Sequence, residues 1–275
     1  MSKLTRLFLT LLLAACGTPK PPPTADTAQP HRIVSLDYCA DQYVLKFADP
    51  DRILALSPDA GKGFSFMRNA ASNIPTVRPI AEDVLLLKPD LVVRSYGGGP
   101  NAGSFFERAG VPVLDVGWAA DFPAVLENTQ RMADGLGAHE RGVAVVAETA
   151  ARLAALKQNA TGKAALYMTP TGVTSGPGSL VHEILLAAGL TNYQTEAGWR
   201  SLPLERLAFS QPDIIAASFF TAGSDHIDAW SPMNHPIARA QLTKHKVVPL
   251  EGSWTACNGW FLVEAADALA KGAAE

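Results

Sequence analysis

Aromatic residues that follow strand-like runs are the side chains best suited to chemistry in this sequence, and that chemistry is capture of a ligand. Tyr96, Trp118, Phe219, Phe220 and Trp254 each stand just after a short aliphatic run. Tyr38 follows the first such run, and Trp199 stands in a loop before Leu204. Open parallel sheets bind ligands beyond the carboxyl ends of their strands, so these rings would wall a shared cleft if the chain folds as two facing halves. Singly, each reads equally well as a lid on the core. Together they suit a bulky, flat or amphipathic ligand better than a simple sugar or a bare ion. Asp37, Arg200 and Ser253 are the weaker polar candidates beside them.

Two glutamates recur at matching places. Glu82-Asp83-Val84-Leu85-Leu86-Leu87-Lys88-Pro89-Asp90-Leu91-Val92-Val93 aligns with Glu205-Arg206-Leu207-Ala208-Phe209-Ser210-Gln211-Pro212-Asp213-Ile214-Ile215-Ala216 at a constant spacing of 123 residues, which also pairs Ser95 with Ser218 and Tyr96 with Phe219. A second correspondence sets Val113 to Trp118 against Val248 to Trp254 with one residue inserted, so the halves read as copies of one unit. Carboxylates at equivalent sites of two copies lie on one side of the molecule and could engage a two-fold symmetric partner through bidentate arginine contacts. The alternative is that each complements a helix dipole, an effect of about 0.3–1 kcal/mol. Cys39 and Cys257 also follow strand ends, one in each half; a disulfide between them and a pair of free thiols both remain open.

Other chemistries lack their patterns. Thr174-Ser175-Gly176-Pro177-Gly178 has no P-loop lysine, Gly97-Gly98-Gly99 is no dinucleotide fingerprint, and no Gly-x-Ser-x-Gly elbow occurs, so these glycine stretches read as loops. His31, His139, His182, His226, His235 and His245 form no zinc spacing; Asp225 beside His226 is the one tempting pair. Tyr38, Tyr96 and Tyr167 are conceivable haem ligands, with nothing to select among them. Lys plus Arg at 23 against Asp plus Glu at 26 provides no cationic excess for phosphates, which disfavours nucleic acid. No resident cofactor or metal is expected.

The elements that must position these residues alternate in type. Strand-like runs at Arg32 to Asp37, Ile53 to Ser57, Leu91 to Ser95 and Pro112 to Val116 are interleaved with helical spacing at Ala40 to Ala48, Ala81 to Lys88 and Gly103 to Ala109. From Pro123 to Lys157 the spacing is helical throughout, broken by Gly135 and Gly137, and its second helix, His139 to Lys157, is long and alanine-rich. Strand-like runs resume at Ala164 to Met168, Ile214 to Ser218 and Lys246 to Glu251. Buried runs separated by helices make the fold α/β with mostly parallel sheets. The domain reading is a first lobe over 31–136, a linking helix within 137–160 and a second lobe over 161–275.

Residues 1–15 read as an export signal, with Lys3 and Arg6 before an apolar run too short to span a bilayer. Its end, Leu13-Ala14-Ala15-Cys16, resembles the lipobox of bacterial lipoproteins, which makes Cys16 the lipidation site; ordinary signal cleavage is the alternative. Loss of Lys3 and Arg6 with the leader makes the formal net charge two units more negative than −3. Residues 16–30, with five prolines, form an extended tether.

Arg32-Ile33-Val34-Ser35-Leu36, Asp51 to Ser57, Glu82 to Val93 and Leu202-Pro203-Leu204-Glu205-Arg206-Leu207 resemble the periplasmic binding proteins for iron chelates and vitamin B12, over nearly all of residues 31–270. That resemblance implies two Rossmann-like lobes joined by one long helix, matched here by His139 to Lys157, with the ligand cleft between them. It implies a periplasmic, lipid-anchored substrate-binding protein of an ABC importer, whose partners are a membrane permease dimer with separate ATPase subunits. Glu82 and Glu205 match the glutamates that dock on permease arginines. The ligand expected is a bulky metal chelate such as a ferric siderophore, with cobalamin or another corrinoid, or haem, as alternatives. An exported enzyme acting in the same cleft is the competing class.

Overall fold

A computed structural model describes residues 29–218 and 231–275. The leader, Cys16 and most of the tether lie outside the described residues, as do Phe219, Phe220, Asp225 and His226.

The chain runs β1 (Ile33–Ser35), α1 (Tyr38–Phe47), β2 (Ile53–Ala55), α2 (Ala81–Leu86), β3 (Leu91–Arg94), α3 (Ala102–Arg108), β4 (Val113–Asp115), α4 (Phe122–Gly135) and α5 (His139–Lys157). It continues through β5 (Ala164–Met168), β6 (Val173–Ser175), α6 (Leu180–Ala187), β7 (Thr191–Asn192), β8 (Trp199–Ser201) and α7 (Leu204–Phe209). It closes with β9 (Ile214–Ala217), α8 (Pro236–Lys244), β10 (Lys246–Pro249), α9 (Gly252–Thr255) and α10 (Leu262–Ala274). Two parallel sheets result, ordered β2-β1-β3-β4 and β10-β9-β5-β7. With β5, β7, β9 and β10 matched to β1 to β4, the second order is the first, so the halves share one topology.

The repeated Pro-Asp has a physical role in that topology. Asp90 accepts from the amides of His31 and Arg32 at 2.9 Å, just before β1. Asp213 accepts from the amide of Ala164 at 2.7 Å, where β5 begins. In each half the aspartate at the entry to the third strand pins the start of the first, which fixes the register Ile33 to Leu91 and Ala165 to Ile214.

Each sheet is buried on both faces, as parallel sheets require. Ile33, Leu91 and Val93 face α1, α4 and α5, whereas Val34 and Val92 face α3. In the second sheet Ala165, Ile214 and Ala216 face α6 and α10, and Leu166, Ile215 and Ala217 face α7 and α8. The halves also exchange side chains. Phe122 and Val125 of α4 enter the second core, and Trp260 and Phe261 enter the first. Helix α5 contributes Val145 to the first core and Leu153 to the second.

Helix α4 starts at Asp121, whose carboxylate accepts from the Ala124 amide at 2.9 Å, and Pro123 suits its first turn. It ends where Gly137 takes a positive φ of 73°, so the chain reverses into α5. Gly142 lets the two helices close together: a Cβ there would meet the Cβ of Ala133 at 2.5 Å. Three strands fall outside those the sequence predicts, two of them where it predicts loop. Val173–Ser175 pairs antiparallel with Trp199–Ser201, and two-residue β7 extends the second sheet. Trp199 is therefore held on a strand instead of a loop.

Candidate functional site

Trp118 and Trp199 line one cavity of about 390 Å³, and they come from different halves of the chain. Both indoles are available to a ligand, with Trp118 80% and Trp199 59% exposed. Ala119, Leu180, Val181, Ile184 and Leu262 supply apolar wall, and Ser95, Ser179, Thr255 and Asn258 supply hydroxyl and amide groups. None of the described residues lining this cavity carries a charge. A larger hollow of about 530 Å³ lies within the 58–76 loop, but it is lined from one half only and offers no aromatic ring.

Trp118 stands on a braced loop. Gly117 adopts φ 77° and its amide donates to the Asp115 carboxylate, turning the chain out of β4. From α4, Arg131 donates to the carbonyls of Asp115 and Val116, and the Asn128 amide donates to that of Trp118. Trp199 is fixed by the β6–β8 pairing and packs edge-on against Tyr167, with centroids 6.2 Å apart.

Residues 256–258 cross from the second half to the first and form one side of the cavity. Cys257 is joined to Cys39 in a disulfide, with α-carbons 5.4 Å apart. Tyr43 donates to the Asn258 carbonyl at 2.9 Å, and the Asn258 amide donates to the Gly117 carbonyl at 3.2 Å. Beyond this strap, Trp260 packs edge-on against Tyr43 and Phe47. Sequence reasoning placed the two cysteines but missed Asn258 and Trp260; the aromatic cluster immediately after Cys257 was the available signal.

The other expected residues divide. Tyr96 is exposed beside a neighbouring cavity of about 340 Å³, and its ring lies 6.0 Å from that of Tyr38. Burial raises the pKa of both phenols, and the nearby Asp37 charge adds to the rise, so both stay protonated at neutral pH. Trp254 is half-buried against the second core and does not line the 390 Å³ cavity. Phe219 lies outside the described residues.

The polar candidates are occupied elsewhere. Asp37 is buried; one oxygen caps α1 at Ala40, and the other accepts from the amides of Ser95, Tyr96 and Gly97 at 2.7–3.0 Å. Four amide donors engage its oxygens and shape the loop carrying Tyr96, and Asp37 lines the 340 Å³ cavity beside that residue. Arg200 pairs with Glu196 at 3.6 Å, and Ser253 is buried. Among the described residues no group of three or more His, Cys, Asp or Glu is placed to hold a metal ion. Glu82 and Glu205 are both exposed, in the first turns of α2 and α7, and make no hydrogen bond or ion pair with described residues.

Comparison with known proteins places this geometry. The sequence profile of a family described as periplasmic binding protein matches residues 33–227. Comparison with curated proteins finds no match. Among solved structures, the periplasmic heme-binding protein HutB of Vibrio cholerae is 19% identical with a TM-score of 0.72, over 87% of this chain and 97% of that one. The vitamin B12-binding protein BtuF of Vibrio cholerae is 18% identical with a TM-score of 0.64, over 89% and 96%. An Fe3+-hydroxamate transport protein of Saccharomonospora viridis is 20% identical with a TM-score of 0.65, over 90% and 94%. At such identities the likeness is one of fold, and these folds share the two parallel sheets. Among the described residues no helix is long and apolar enough to cross a membrane.

Proposed function

The chain belongs to the periplasmic binding protein family, whose members bind ligands and are not enzymes, and from that premise we propose that it is the substrate-binding subunit of an ABC importer for a bulky metal chelate. One observation carries the reading: Trp118 and Trp199, from opposite halves, line a single uncharged and largely apolar cavity. Stacking between two indoles suits a ligand with broad faces. The similar structures include proteins named for heme, vitamin B12 and Fe3+-hydroxamate.

A ferric siderophore of the hydroxamate type fits the cavity chemistry best. Three hydroxamates neutralise Fe3+, so the complex brings no net charge to desolvate. Haem would bring two propionates to a lining that offers no cation among the described residues. A corrinoid, flat and without that demand, is the second reading. Lobes of 31–136 and 161–275 would hold the chelate between them, with α5 as the stiff link, since it is anchored in both cores. The protein would work in the periplasm, tethered through lipid on Cys16. Glu82 and Glu205 would meet arginines of the permease dimer.

Native mass spectrometry of the mature chain with a ferric trihydroxamate, cobalamin and hemin tests this. One intact chelate retained per chain is expected, with the hydroxamate held most tightly. Chemical turnover of the chelate, or retention of none of the three, would contradict the reading.

A further inference from the structure

Leu86 and Phe209 are 80% and 93% exposed, the last residues of α2 and α7. A lone exposed apolar side chain needs no explanation. These two, however, are separated by the same 123 residues that separate Glu82 from Glu205, so they occupy one position of the duplicated unit. In each helix the apolar residue stands four places after the glutamate, and residues at i and i+4 share a helix face. Each half therefore presents one composite knob, an exposed carboxylate with an exposed apolar side chain beside it.

Neither half of the knob is buried in the described fold. Val84 and Leu207 are the residues these helices bury, and Glu82 and Glu205 have no partner among the described residues. A lone carboxylate calls for a cation, and the duplication calls for a partner that offers the same site twice. Resting on the importer reading above, we propose that Leu86 and Phe209 are apolar anchors that insert beside Glu82 and Glu205 into two equivalent sockets of the dimeric permease, each socket an arginine next to an apolar pocket. The charges would steer and orient the encounter, and the apolar residues would hold the complex. The larger Phe209 and the smaller Leu86 make the two contacts unequal in size.

The test uses the full mature chain and the permease–ATPase complex with which it supports chelate uptake, reconstituted in lipid nanodiscs. Leu86→Ser and Phe209→Ser should each weaken association roughly ten- to hundredfold. The salt dependence of association should remain in both, whereas Glu82→Ala with Glu205→Ala should flatten it. Chelate affinity and thermal midpoint should stay unchanged in the serine variants, because both side chains already lie in solvent. Wild-type association of the Leu86→Ser, Phe209→Ser double variant would overturn the apolar anchors while leaving the importer reading intact. A wild-type chain that binds chelate but associates with no permease would overturn both.

Discussion

Asp37 and Asp41 sit four residues apart at the start of α1 and do opposite electrostatic work. Asp37 meets four amide donors, and Asp37→Ala would leave the turn at Ser95 to Gly97 without its acceptor. Loss of about 3 kcal/mol of stability is expected in urea titration, together with weaker ligand binding as Ser95, which lines the 390 Å³ cavity, shifts with that turn. Asp41 is fully buried; the Ser35 hydroxyl bonds to its carboxyl, and Ser57 donates from its hydroxyl at 2.6 Å and its amide at 3.1 Å. Desolvation outweighs those bonds and raises its pKa to about 6. The folded protein thus keeps a proton that the unfolded chain has released. Its contribution is complete below about pH 4 and is lost as pH rises to about 6, on the order of 3 kcal/mol across the window. Asp41→Asn should remove that slope in urea midpoints measured from pH 4 to pH 7; an unchanged slope would assign it to another group.

At the scale of elements, legibility followed the length and periodicity of each segment. The strands of the two sheets other than β7 were readable because β-branched and aliphatic runs between helical spacings have few alternatives. The break between α4 and α5 was readable from its glycines, and it falls at Gly137, with φ 73°, while Gly135 still belongs to α4. By contrast β6, β7 and β8 are two or three residues long, and β6 and β8 pair only with each other across a fold the local sequence does not encode. Trp199 was therefore recognisable as a candidate but not as a strand residue. The structural work of Asp37 was hidden for a related reason: only the tertiary approach of Ser95 to Gly97 reveals that its carboxylate is engaged. The α4–α5 contact carries its own prediction. Gly142→Val should cost about 2 kcal/mol through overpacking against Ala133, read as a lower thermal midpoint, with chelate affinity little changed.

At the scale of the whole molecule the halves are clasped as well as linked. The Cys39–Cys257 disulfide, the Asn258 contacts and the burial of Trp260 all hold the strap that walls the cavity. Replacing both cysteines by serine should lower stability by about 2–4 kcal/mol, as the bridge closes a loop of more than two hundred residues. Chelate affinity should fall as well, because Ala256, Cys257 and Asn258 line the cavity. The strap is a reason to expect small lobe movements, as the two halves cannot part at this edge while the bridge is intact.

The most direct measurement is calorimetric titration of ferric trihydroxamate into the wild-type chain, Trp118→Ala, Trp199→Ala and the double variant. Loss of either indole should weaken binding roughly ten- to hundredfold, and loss of both should abolish it at micromolar concentrations. Unliganded stability should change little, because both rings are largely exposed before the ligand arrives, the edge contact of Trp199 with Tyr167 being the native packing lost. A double variant that binds as tightly as the wild type would mean that the ligand is not held between these two rings.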